Sequence, residues 1–148
     1  MSQLTHANSF NDLIVYQKSR KLAQDIFVLT KKFPKEEMFS LTDQIRRSSR
    51  SIGAQIAEGW AKRRYEKHFV SKLTDADGEQ FETQHWLKIC SDCEYVTQEQ
   101  VDILLQQCSE IGRLLGGVIA KSHLFCKPEG LSVSEEQAEY LIIPDHQY

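Results

Sequence analysis

Seven basic side chains, Arg46, Arg47, Arg50, Lys62, Arg63, Arg64 and Lys67, lie between Arg46 and His68 with only Glu58 and Glu66 to oppose them. Clustered guanidinium and ammonium groups have one chemistry that suits them well: they take phosphate oxygens and release the counterions around them. Trp60 and Tyr65 lie among these cations, and their rings offer bases a stacking surface. The alternative use of the same cluster is a solvated face with some ion pairs between subunits. Both readings stay open from the residues alone.

Glu58 is the most informative single acid. On a helix it shares a side with Arg47 and Arg50, but at eleven and eight residues' distance. At 1.5 Å rise per residue that is about 16 and 12 Å, too far for direct pairing. It needs a partner on another helix or subunit, or a turn to cap. A lone carboxylate without a neighbouring His or second acid makes a poor general acid–base site, so Glu58 reads as structural. Cys90-Ser91-Asp92-Cys93 is a CxxC motif. Zinc would require two further ligands, and only His85, His123 or Cys108 could serve. A redox CxxC opens a helix, whose N-terminus lowers the thiol pKa, and this one closes a helix. Cys90 therefore reads as a packing residue and Cys93 as a turn residue. His68, Asp75 and Asp77 show no ligand spacing, and neither a Gly-rich phosphate loop nor a nucleophile motif occurs. No metal, cofactor or small-molecule substrate is expected, and the chain does not read as an enzyme.

The elements that must position these residues are helices. Leu41, Ile45, Ser48 or Ser49, Ile52 and Ile56 recur every three or four residues and define a helix that runs to about Gly59. Its small residues Ser48 and Ser49 mark a place where a neighbour can approach closely. An earlier helix starts from Asn11 or Asp12 as N-cap and follows Leu13, Tyr16, Ala23, Phe27 and Thr30, widened by Leu22, Ile26 and Leu29. It should stop near Lys32, because Pro34 disfavours helix at Phe33. Glu36 and Glu37 suit the start of the second helix. A third helix, from about Tyr65 to Ser91, has the line Tyr65, Phe69, Leu73, Ala76, Gln80, Thr83, Leu87 and Cys90, which is a bundle seam. Gly78 within it costs about 1 kcal/mol relative to Ala, so a close helix contact is expected there. Thr97-Gln98-Glu99-Gln100 is a capping box that opens a fourth helix, continued by Val101, Leu104 or Leu105, Cys108, Ile111, Leu115, Val118 and Ile119 to about His123.

Four amphipathic helices with short turns give an all-α, antiparallel, up-down-up-down four-helix bundle over residues 1–126. Residues 127–148 form an acidic C-terminal appendage. Ser134 with Gln137 could cap one short helix carrying Tyr140, Leu141 and Ile142, and a frayed tail is the other reading.

Bulk properties agree with one domain. The chain has 148 residues, 41% apolar and 26% charged, with a formal net charge of -3. That charge is unevenly spread. After Lys127 there is no Lys or Arg, but Glu129, Glu135, Glu136, Glu139 and Asp145 are present. With five of the 21 acids there, the rest of the chain holds 16 acids against all 18 basic residues. The start of the chain lacks an apolar signal region, and no apolar run approaches the roughly 18 residues of a membrane span. With Cys90, Cys93, Cys108 and Cys126 read as reduced thiols, the expected location is cytoplasmic.

The spacing Phe10-x-Asp12-Leu13-x-Val15-Tyr16-Gln17-Lys18 resembles the opening of the four-helix-bundle proteins encoded in intervening sequences of bacterial 23S ribosomal RNA genes. The likeness continues through Phe33-Pro34-x-x-Glu37, Leu41-x-x-Gln44-Ile45-Arg46-Arg47-Ser48-Ser49, Ser51-Ile52 and Ile56-Ala57-Glu58-Gly59. It extends to Phe69, Leu73, Ala76, Gly78, Glu82 and Thr83, and covers about residues 10–123. Gln44, Glu58 and Gly59 belong to its structural motif. The chain departs from the pattern at Gln55, where the family usually has Asn. The resemblance implies a left-handed antiparallel bundle, often a ring-shaped homopentamer, with no established activity. More distantly the chain resembles the accessory variability proteins of diversity-generating retroelements, basic pentamers that bind a reverse transcriptase and nucleic acid. The functional expectation is a non-enzymatic homo-oligomer that binds RNA, or an RNA-associated protein, through the seven basic residues. The alternative is a protein–protein adaptor or assembly module with no nucleic-acid contact.

Overall fold

Apolar side chains at helical spacing build four helices: α1 (Ile14–Thr30), α2 (Asp43–Ala61), α3 (Glu66–Asp92) and α4 (Gln98–Ala120). The computed structural model describes residues 5–126 and 141–142. Sequential helices run antiparallel, α2 against α3 is the most extensive pair, and α1 closes the bundle against α2 and α4. Leu22, Ile26, Ile45, Ile52, Ile56, Leu73, Leu87, Ile111 and Leu114 are fully buried along the shared axis. Phe69 and Phe125 stack at one end of the bundle with ring centroids 6.1 Å apart. Phe33 and Tyr95 meet at the opposite end at 5.5 Å.

Leu41, just before α2, and Ile45, Ser48, Ser49, Ile52 and Ile56 on it are buried as their spacing predicts. The Ser48 and Thr83 hydroxyls are 2.9 Å apart across the α2–α3 contact. Two small side chains there let the helices approach, and each buried hydroxyl has a partner. On α3 the predicted seam is buried from Phe69 to Cys90, while Tyr65 lies before the helix and is 43% exposed. Gln80, the polar member of that seam, is satisfied by donating to Asp77 Oδ1 at 3.0 Å and accepting from Gln84 Nε2 at 2.7 Å. The capping box of α4 forms: Thr97 Oγ1 accepts from the Gln100 amide at 3.1 Å, and Gln100 Oε1 accepts from the Thr97 amide at 2.9 Å.

Five sequence expectations need correction. The first cap belongs to Ser9 and Asp12, which form a box around a 3-10 turn at Phe10–Asp12, and α1 begins only after Leu13. The buried line of α1 is Val15, Ser19, Leu22, Ile26 and Thr30, not the line through Tyr16, Ala23 and Phe27. Ser19 decides this register, because its small side chain lets α1 approach α2 at Gly53. A β-carbon on Gly53 would stand 3.1 Å from Ser19 Oγ. Helix two opens through a 3-10 turn at Lys35–Glu37 and a π-helical turn at Met38–Thr42 before regular α-helix begins. A β-carbon added at Gly78 would meet nothing within 4 Å among the described residues, so the expected close helix contact is not found there. Leu141–Ile142 forms a short strand, β2, not a helix; it pairs antiparallel with β1 (Thr5–His6). The remainder of the expected C-terminal helix lies outside the described residues.

The α2–α3 contact sets a steep stability requirement. Ile52→Ala should cost about 2–5 kcal/mol, the range for large-to-small changes in a packed core. Ser48→Leu should also lower the denaturant midpoint, because the Thr83 hydroxyl already fills the space beside it. An unchanged midpoint for Ser48→Leu would contradict the close approach.

Candidate nucleic-acid interface

The basic residues of α2 leave the helix on two sides. Arg47 turns toward α3, where its guanidinium pairs with Glu82 and lies 3.5 Å from Glu79 Oε1. Trp86 Nε1 donates to the same Glu82 carboxylate at 3.1 Å. One turn before the end of α2, Lys72 Nζ of α3 reaches Glu58 Oε2 at 2.8 Å and Gln55 Oε1 at 3.3 Å. The hydrogen bond and charge of Lys72 hold the Glu58 carboxyl below its usual range, and Glu58 raises the ammonium pKa in return. Gly59 permits this crossing: a β-carbon there would stand 3.2 Å from Lys72 Cβ and 3.6 Å from the Phe69 carbonyl oxygen. Glu58 thus finds its partner on another helix, and the Ile56-Ala57-Glu58-Gly59 motif couples core, ion pair and helix approach. Gln44 is half-buried, and its side chain makes no hydrogen bond among the described residues.

Arg46 and Arg50 turn the other way, toward α1. Arg46 Nε donates to Thr30 Oγ1 at 2.8 Å. The guanidinium carbons of Arg46 and Arg50 lie 4.9 and 5.5 Å from the centroid of the Phe27 ring, and Lys31 Nζ lies 4.9 Å from it. Three cations therefore gather around one aromatic ring, held by its quadrupole. None of the three has a carboxylate partner among the described residues, in contrast to Arg47 and Lys72 on the α2–α3 side.

The turn between α2 and α3 holds the third group. Arg63 stacks on Trp60 with its guanidinium carbon 3.6 Å from the ring centroid, and its Nε donates to the Trp60 carbonyl at 2.8 Å. Arg64 lies 5.6 Å from the Tyr65 ring. Lys62 and Lys67 are exposed. Lys62, Arg64 and Lys67 have no ion-pair partner among the described residues. Glu66, the first residue of α3, accepts a hydrogen bond from Ser122.

The seven-residue basic set is thus divided within one chain. Arg46 and Arg50 face α1, Arg47 faces α3, and Lys62, Arg63, Arg64 and Lys67 crown the turn. Sequence reasoning missed Arg20, Phe27 and Lys31 as members of this charge distribution. Their signal was present as Arg20, Gln24, Phe27 and Lys31 at spacings of 4, 3 and 4, one face of α1.

The CxxC has the predicted division of labour. Cys90 is fully buried and Cys93 is exposed in the turn after α3. Burial pushes the Cys90 and Cys108 thiols up to about 12. Among the described residues no group of three or more His, Cys, Asp or Glu side chains is placed to hold a metal ion. No described helix is long and apolar enough to cross a membrane.

The molecule is an all-α, antiparallel four-helix bundle, with ion pairs across α2–α3 and, among the described residues, none at the cations around Phe27. The profile of the 23S rRNA-intervening sequence protein family matches residues 11–117, and the chain belongs to that family. It is also similar to a solved structure, a protein with unknown function from the S23 ribosomal protein family of Bacteroides thetaiotaomicron. The two chains are 32% identical with a TM-score of 0.63, over 72% of this chain and 98% of that one. Comparison with curated proteins gives no match.

Two outcomes follow from this chemistry. Alkylation of the native protein followed by peptide mass spectrometry should label Cys93 rapidly and spare Cys90 and Cys108 until the chain unfolds. Fast labelling of Cys90 would contradict its burial. The lowered Glu58 pKa gives its ion pair a stabilising effect above the ordinary carboxylate value, lost as pH falls through the folded-state pKa. The melting-temperature gap between wild type and Glu58→Gln should therefore shrink from neutral pH to well below 4.5. A gap constant across that range would contradict the pairing.

Proposed function

We propose that this protein is a homo-oligomeric bundle, most simply a pentamer, that binds RNA or an RNA-associated protein through its unpaired cations. The observation that carries the reading is the crown of Lys62, Arg64 and Lys67 at the α2–α3 turn. These charges have no carboxylate partner among the described residues, and Trp60 and Tyr65 hold Arg63 and Arg64 beside them. Phosphate oxygens are the natural counter-charge for such a group, and exposed Tyr65 adds a stacking face. Arg46 and Arg50 belong to the same function on the α1 side, while Arg47 serves the bundle by holding α3. No catalytic role is assigned to any residue.

Oligomerisation is supported by surface that one chain leaves open. Val15 enters the core, and Ile14 and Trp86 pack partly against it. Phe81 remains 60% exposed, one turn from Gly78, whose outer side is empty. Val70, half-buried, and Phe81 share a side of α3 away from its buried seam. Exposed apolar surface of this kind fits a second chain docked against it. The same feature favours the second reading, an adaptor whose partner is another protein.

Light scattering should give a mass of about five times 17.1 kDa, and a monomer at micromolar concentration would contradict the ring. In RNA binding, Arg63→Ala with Arg64→Ala should weaken unrelated sequences about equally. The salt slope should flatten by up to about 0.7 per lost single-strand phosphate contact. Unchanged affinity and slope would favour the adaptor reading.

A further inference from the structure

The α1–α2 seam holds an open groove of about 750 Å³, a volume in the range of small-ligand sites. Gly53, Ala54 and Ala57 of α2 form its floor, so a ligand can come close to the helix backbone. Arg20 and Arg50 stand on its two walls, and Phe10 and Tyr16 line one end. The two aromatic rings meet edge to face at 4.8 Å. Tyr16 lies against Gly53, where a β-carbon would be 3.5 Å from its ring. Lys21 also lines the groove but is paired with Asp25 at 2.7 Å. Arg20 and Arg50 have no carboxylate partner among the described residues.

The groove continues into the cluster around Phe27, because Arg50 belongs to both. From Arg20 to Lys31 is eleven residues of α1, or about 16 Å. Over that length the seam presents Arg20, Arg50, Arg46 and Lys31, and among the described residues no carboxylate pairs with any of them. The other charged seams differ. Arg47 meets Glu79 and Glu82, Lys72 meets Glu58, and Lys18 meets Glu110 across α1–α4 at 3.2 Å. An aromatic ring gathers cations without cancelling their charge, so the field of the α1–α2 seam stays available to an external anion.

We propose that this groove is a binding site for single-stranded RNA, with the phosphodiester chain running along Arg20, Arg50, Arg46 and Lys31. One nucleotide sits in the pocket, its base against Tyr16 and Phe10. The proposal deepens the RNA-binding reading and rests on it. The open, concave shape suits a single strand: one flexible phosphodiester backbone can lie along the surface groove above the α1–α2 contact, while a rigid duplex rests on its rims. A nucleic acid is favoured over an acidic peptide because the strip of guanidinium groups, which take phosphate or carboxylate alike, ends on the rings of Phe10 and Tyr16, where a base can stack.

The test uses the full chain and fluorescently labelled oligouridine, with a uridine-tract duplex and polyglutamate as competing arms. Arg20→Ala with Arg50→Ala should weaken the single strand at least tenfold and lower its salt slope by about 1.4, for two contacts at about 0.7 each. Lys88→Ala, a charge change on exposed α3 surface, should leave both unchanged. Ala54→Trp, an exposed position on the groove floor, should block binding while the circular-dichroism melt and the light-scattering mass stay as in wild type. If wild type binds no RNA, the functional reading fails and the groove assignment with it. If wild type binds and the double Ala and Ala54→Trp variants match it, the groove assignment alone is overturned. Equal competition by polyglutamate, or loss of the oligomer on Ala54→Trp with RNA affinity intact, also overturns it: the occupant is then an acidic protein segment or a second copy of the chain.

Discussion

The close approach of α2 and α3 is the constraint on which the rest of the structure depends. At Ser48 the two helices are separated by hydroxyl groups, 2.9 Å from Ser48 to Thr83. At Gly59 no side chain of α2 separates them, and a β-carbon there would stand 3.2 Å from Lys72 Cβ. Between these points lie Ile52 and Ile56, both buried. This spacing brings Lys72 to Glu58 and Arg47 to Glu79 and Glu82, so the seam neutralises its own charges. A larger residue at either contact would separate the partners as well as open the core.

The consequence for function is an asymmetry around α2. Charges on its α3 side are paired; charges on its α1 side are gathered on Phe27 and have no carboxylate partner among the described residues. Both arrangements fix long side chains, and they differ in what is left over. An ion pair leaves a dipole, whereas a cation on a ring leaves nearly its whole charge to the surroundings. At the α2–α3 turn Arg64 likewise lies beside the Tyr65 ring, and Arg63 stacks on Trp60. Around Phe27 the bundle uses an aromatic residue to position cations without silencing them.

Much of the fold was legible in the sequence because α2, α3 and α4 each carry one dominant apolar line. Ile45, Ile52 and Ile56 could belong to no other face, and Thr97 with Gln100 announced the start of α4. Helix α1 was harder, because Leu22 and Ile26 compete with Ala23 and Phe27 for the core. Tertiary contact settled the matter: Ser19 fits against Gly53, and Phe27 is left for the cations. The site was legible only in part. Arg46 and Arg50 stood out as members of a local cluster, but Arg20 and Lys31 are far from it in sequence and meet it only through antiparallel packing. The opposite directions of Arg46 and Arg47 follow from adjacent helical positions lying about 100° apart, yet which one would find a carboxylate depended on Glu79 and Glu82 of α3. Gly78 shows the reverse case: no contact among the described residues accounts for it.

Ultraviolet crosslinking of bound single-stranded RNA, read by peptide mass spectrometry, tests the asymmetry most directly. The account predicts crosslinked peptides from α1 around Tyr16 to Lys31, from the Arg46–Ala57 part of α2 and from the turn at Trp60–Lys67. It predicts none from the Glu79–Trp86 part of α3, where Arg47 and Glu82 are paired. Crosslinks centred on that part of α3, with the α1–α2 seam unmarked, would contradict it.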